Sequence, residues 1–76
     1  MLTSAQCRAA RALLNLKQSE LADAAMVSLA TLANFETDKR TPYLSTLLRI
    51  REALEEAGVE FIPADEHGGP GVRLKN

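Results

Sequence analysis

The sequence is poor in the residues from which small enzymes and secreted scaffolds are built. It has one cysteine, Cys7, and one histidine, His67. A single cysteine forms no intramolecular disulfide, which excludes a disulfide-stapled extracellular fold. Cys7 has no base to activate it, because His67 sits in a glycine-rich stretch, and it reads as a small buried apolar residue. The carboxylates do not converge: Glu55 and Glu56 are adjacent and diverge on a helix. Asp65, Glu66 and His67 fall in a turn-rich segment better suited to solvent than to a metal. Gly68-Gly69-Pro70-Gly71 lacks the strand-to-helix context of a phosphate-binding loop. These gaps argue against an enzyme, and no cofactor or metal is expected. No apolar run approaches the ~20 residues of a membrane span, so no membrane partner is expected. Met1-Leu2-Thr3-Ser4 lacks the basic and apolar regions of a signal peptide. The expected location is cytoplasmic.

What is present is ordinary for a globular domain: 46% apolar and 25% charged residues among 76. A chain this short buries only about 60% of the surface its unfolded form exposes, so a partner subunit is expected. The net charge is −1, but it is divided unevenly. Residues 1–51 hold seven Lys/Arg against four Asp/Glu, a net of +3, whereas residues 52–76 hold two against six, a net of −4. The first segment tolerates phosphates, and the second would face away from them.

Hydrophobic spacing divides the chain into four short helices and a tail. Thr3 and Gln6 have the spacing of a capping box ahead of a helix over 5–14, with Cys7, Leu14 and the alanines between them on the inner face. A second helix over 18–25 places Leu21, Ala22 and Ala25 on one side. Ser28 caps a third over 29–36, with Leu32 and Phe35 inward. Pro42 permits a fourth helix to start, with Ser45 as an alternative cap. Leu47, Ile50, Leu54 and Ala57 follow helical spacing, and Gly58 is placed to end that helix. Val59-Glu60-Phe61-Ile62 and Gly71-Val72-Arg73-Leu74-Lys75 then read as a β-hairpin. The division expected is 1–57 for the helical unit and 58–76 for the hairpin. A lone hairpin is marginal in water, so Val59, Phe61, Ile62, Val72 and Leu74 are expected to form a dimer contact, the alternative being that they cover the chain's own helices.

The helices over 18–25 and 29–36, joined by a three-residue connection, fit a helix-turn-helix. The steep crossing needs a small residue at the contact, and Ala22 supplies it. The turn needs an apolar side chain tucked inward, which Val27 supplies, and Leu32 closes the contact. An ordinary helical bundle requires neither Ala22 nor so short a connection. With Gln18-Ser19-Glu20-Leu21-Ala22, Val27-Ser28, Leu32-Ala33-Asn34-Phe35-Glu36 and Lys39-Arg40, the sequence resembles the Cro/C1-type (XRE) helix-turn-helix family over residues 5–57. Its tail resembles that of a subgroup of short regulators in the family.

The resemblance implies a mainly α, λ-repressor-like bundle of four to five short helices with a C-terminal β-hairpin. It implies double-stranded DNA as partner and the helix over 29–36 in the major groove, with Leu29, Ala30, Ala33 and Asn34 at the bases. Asn can bond adenine and Ala or Leu can touch a thymine methyl. It implies phosphate contacts from Gln18, Ser28, Thr31, Lys39, Arg40 and Thr41, and a structural ion pair between Arg11 and Glu36. Two positions depart from the family pattern. Met26 stands at a turn position usually held by glycine, and Thr37-Asp38 replaces Asn-Gly. The function expected is a homodimeric, sequence-specific transcriptional regulator of the repressor kind. The alternatives are a helix-turn-helix module that binds protein, or an antitoxin with weak DNA binding.

Overall fold

Capping chemistry sets most of the helix boundaries. In the computed structural model, which describes residues 1–76, α1 (Ser4–Leu14) begins on a complete capping box. Thr3 Oγ1 accepts the Gln6 amide at 3.0 Å, and Gln6 Oε1 accepts the Thr3 amide at 2.9 Å. Asn15 ends the helix in the left-handed region at φ 59°. At the start of α2 (Gln18–Ala25) the Glu20 carboxylate accepts the Lys17 amide at 2.8 Å. The Ser28 hydroxyl accepts the Thr31 amide at 3.0 Å and starts α3 (Leu29–Glu36). Residues Leu44–Ala57 form α4, and Gly58, at φ 123°, turns the chain out of it in a conformation that side chains resist.

The start of α4 differs from the sequence expectation. The Tyr43 carbonyl accepts the amides of Thr46 and Leu47, both at 3.0 Å, so the helix is under way before Ser45 could cap it. Pro42 lies outside the helix and Ser45 inside its first turn. The helices number four.

The tail is an antiparallel hairpin of β1 (Val59–Ile62) and β2 (Gly71–Leu74), with Val59 opposite Leu74 and Phe61 opposite Val72. It is fastened to the helices. Gln6 Nε2 donates to the Gly71 carbonyl at 2.9 Å, the Lys75 amide donates to the Gly58 carbonyl at 2.9 Å, and Lys75 Nζ donates to the Glu55 carbonyl at 2.8 Å.

One core joins these elements: Leu2, Cys7 and Ala10, then Leu21, Ala22, Ala25, Leu32 and Phe35, then Leu47, Ile50, Leu54 and Val59. On α1 the buried residues are Gln6, Cys7 and Ala10, and Leu14 is half-buried. Ala9 and Ala12 are exposed, because 100° steps carry them to the far side of the helix. Ala57 is exposed as well. The reversal at Gly58 brings Val59 into the core in its place.

That reversal corrects the expected dimer set. Val59 is 0% exposed within its own chain and has no surface to offer a partner. Phe61 and Val72 are half-buried against the same core, while Ile62 and Leu74 remain exposed. The hairpin therefore covers its own helices with three of its five apolar side chains.

Met26 occupies the left-handed region at φ 59° and ψ 44° and is 83% exposed. That conformation costs an L-residue roughly 1–2 kcal/mol, and a side chain so exposed recovers little of it by packing. Met26→Gly is expected to stabilise the chain by about 1 kcal/mol and raise Tm by several degrees, since small domains shift by about 4–8 °C per kcal/mol. Thermal unfolding followed by circular dichroism checks this. An unchanged or lower Tm would show that Met26 bears no strain.

Candidate nucleic-acid interface

The contact between α2 and α3 rests on small and apolar residues. Ala22 is buried where the helices meet, Leu21, Ala25, Leu32 and Phe35 are buried around it, and half-buried Val27 packs on the core. The Val27 amide donates to the Ala22 carbonyl at 3.0 Å, which closes the turn through Met26. With Leu32, Phe35 and Glu36 turned inward, Leu29, Ala30, Ala33 and Asn34 share the opposite side of α3. Leu29 and Ala30 are exposed, and Ala33 and Asn34 are half-buried. The face is small and weakly polar.

Lys39, Arg40 and Thr41 lie just beyond it, all exposed, and neither Lys39 nor Arg40 is in an ion pair. The amides of Lys39 and Arg40 donate back to the Asn34 carbonyl at 2.9 and 3.2 Å, which holds this loop against the end of α3. Thr31, Arg40 and Thr41 line a hollow of about 410 Å³ whose other wall is Pro42, Tyr43 and Thr46. Tyr43 and Thr46 were not among the candidates read from the sequence. Their signal is the missing cap: α4 starts beside this hollow without a side-chain acceptor for its first amides. Ser28 is exposed, but its hydroxyl also donates to Thr31 Oγ1 at 2.8 Å, so its single proton is already placed.

Gln18 is committed elsewhere in part. Its Nε2 donates to Glu36 Oε1 at 2.8 Å, leaving one amide hydrogen for an outside acceptor. Glu36 is the centre of a polar cluster within the fold and is only 2% exposed. Arg11 grips it in bidentate fashion, Nε to Oε2 at 2.7 Å and Nη2 to Oε1 at 2.6 Å. The Cys7 thiol donates to Oε2 at 3.2 Å. A third bond from Arg11 reaches the Leu16 carbonyl at 3.0 Å, and Arg8 donates to the Glu36 carbonyl. Cys7, Arg8 and Gln18 were not expected as members of this cluster, since no sequence spacing reports which side chains meet at a distant carboxylate.

Burial pushes the Glu36 carboxyl up, but hydrogen bonds from Arg11, Gln18 and Cys7 outweigh it and hold the group below the usual carboxylate range. The hydrogen bond to Glu36 raises Arg11 against a smaller opposing effect of burial. Burial, with the Glu36 hydrogen bond and charge, pushes the Cys7 thiol well up, so it stays protonated and unreactive.

Two outcomes follow from this cluster. Arg11→Ala leaves a buried carboxylate without its cation, and urea unfolding is expected to show a loss of about 3–5 kcal/mol. A depressed folded-state pKa stabilises the fold above the unfolded carboxyl pKa of about 4.3, and that stability is lost as pH falls through the folded value. Glu36→Gln is therefore expected to flatten the acid limb of a stability-versus-pH curve below about pH 4. An acid limb as steep as in the parent chain would show that Glu36 does not titrate as described.

A helix-turn-helix family model matches residues 8–61, from within α1 to Phe61 in β1. No curated protein matches the chain. The family match spans well over half of the chain and includes both helices of the motif and the turn between them. No helix is long and apolar enough to cross a membrane. The chain belongs to the helix-turn-helix family of the Cro/C1 (XRE) type, whose domain binds DNA and regulates rather than catalyses.

Proposed function

We propose that the chain is a cytoplasmic, sequence-specific repressor that binds DNA as a homodimer with α3 in the major groove. The observation that carries this reading is the single open face of α3. Leu29, Ala30, Ala33 and Asn34 lie together on it, next to the unpaired Lys39 and Arg40. Asn34 is the residue suited to bidentate contact with adenine, and Leu29 and the alanines suit thymine methyls. Gln18, Ser28, Thr31, Lys39, Arg40 and Thr41 serve the phosphates, joined by the uncapped start of α4. Two copies on successive major grooves read half-sites about 34 Å apart.

A second reading is a module that binds protein, as an antitoxin does, with weak affinity for DNA. The observation in its favour is that the open face of α3 carries no Arg, Lys or Gln, the side chains with the greatest reach for base edges.

Fluorescence anisotropy with the DNA upstream of the chain's own gene and a randomised duplex pool separates the two. The upstream duplex is expected to bind more tightly, with log affinity falling linearly in log salt. Arg40→Ala is expected to weaken both duplexes alike and lower the salt slope by about one. Asn34→Ala is expected to reduce the preference between them, by about 1–3 kcal/mol. Equal affinity for both duplexes, or no binding at low salt by a folded dimer, would favour the protein-binding module.

A further inference from the structure

The largest exposed apolar side chains of α4 form a ridge that nothing in the chain covers. Leu44 is 62% and Leu48 is 43% exposed. With Arg51 and Glu55 they recur at helical spacing on one side of α4, apart from Leu47, Ile50 and Leu54, which enter the core. The Arg51 guanidinium lies over the Phe61 ring, 5.3 Å from its centroid, which joins this stripe to β1. Beside that stack is a hollow of about 370 Å³ bordered by Met1, Arg51, Phe61, Ile62 and Pro63. One face thus carries an apolar ridge and an apolar-edged hollow side by side.

We propose that this face is the homodimer seam, with Leu44 and Leu48 of each copy seated in the hollow of the other. The proposal rests on the dimeric reading above and moves the contact from the hairpin edge to α4 and the end of β1. A two-fold axis requires self-complementarity, in which residue i meets j and j meets i. A ridge and a hollow on the same face meet that condition. The charges meet it as well. Arg51 and Glu55, 3.4 Å apart in one chain, put both signs on the stripe, so a second copy can exchange these partners without like-charge opposition. A standard interface takes about 800 Å² per partner, about a sixth of this chain's 4951 Å². The stripe from Leu44 to Glu55 is about 16 Å long before β1 extends it. Seating Leu44 in the partner's hollow puts the two-fold axis midway along this face, near Arg51 and Glu55.

Sedimentation equilibrium of the full chain without DNA tests the seam. The parent chain is expected at twice the 8.3 kDa of one copy. Leu44→Glu/Leu48→Glu is expected at half the parent mass with unchanged far-ultraviolet circular dichroism, because both side chains stand in solvent. The pairing is checked separately: Leu44→Cys/Ile62→Cys is expected to cross-link into dimers on mild oxidation, and Leu74→Cys is not. A monomeric parent chain, a dimeric double-glutamate variant, or cross-linking through Leu74→Cys instead would overturn the seam. Loss of DNA binding by a chain that still sediments as a dimer would sink the regulator reading and leave the seam standing.

Discussion

The geometry of the motif depends on one buried carboxylate. Helices of eight residues are too short to be stable by themselves, and apolar contact alone is non-directional. Glu36 adds direction. It is the last residue of α3, and its two oxygens collect four hydrogen bonds, two from Arg11, one from Cys7 and one from Gln18. Arg11 and Cys7 belong to α1 and Gln18 opens α2, so a single side chain fixes α3 against both helices. The arrangement is all-or-none in its energetics, because a buried carboxylate without its donors costs more than the cluster contributes when complete. The α3–α4 loop is tied to the same helix end, through the Lys39 and Arg40 amides on the Asn34 carbonyl. The exposed cations thus stand at a fixed place relative to the open face of α3.

The sequence was legible where the controlling interactions are local. Thr3 with Gln6, and Ser28 with Thr31, act across one turn, and their caps stand where spacing put them. Ala22, Val27 and Leu32 could be read as a helix-turn-helix because steric demands at a steep crossing admit few residue types. Legibility failed where a remote contact decided. Pro42 and Ser45 are both valid start signals, but the first helical carbonyl is that of Tyr43, which has no side-chain cap to announce it. Val59 could be assigned to a dimer contact or to the chain's own core, because alternation names two faces of a strand without saying which turns inward. Gly58 makes that choice by its angle. Cys7 was readable as buried but not as a hydrogen-bond donor, since its acceptor lies 29 residues away.

Three non-glycine residues adopt left-handed backbone, Asn15, Met26 and Asp38, and each lies just beyond a helix. Asn and Asp enter that region more readily than other side chains. Met26 lacks that tolerance, and its side chain stands in solvent. The conformation is held from both sides instead, by the Val27 amide on the Ala22 carbonyl and by the Ser28 cap. Strain of this kind persists only where the surroundings over-determine the backbone. The turn between α2 and α3 satisfies that condition because the Ala22 contact leaves no slack on one side and the Glu36 cluster none on the other.

The open face of α3 has few polar groups with which to read bases. In the proposed complex Ala30 and Ala33 would allow the helix backbone close to the groove floor, and Asn34 would offer one bidentate contact. A single copy with so sparse a face would discriminate poorly, and its phosphate contacts would not help, because they are blind to sequence. Discrimination then has to come from geometry. Two copies held rigidly about a two-fold axis accept only half-sites at one spacing, so each weak readout counts twice and wrong spacings are rejected together. A bend or groove width that the DNA must adopt to meet both copies adds further selectivity at base pairs the protein never touches. In the proposed dimer the α4 face would contribute to specificity as directly as α3: α3 would set which bases are favoured, and the seam how far apart they must lie.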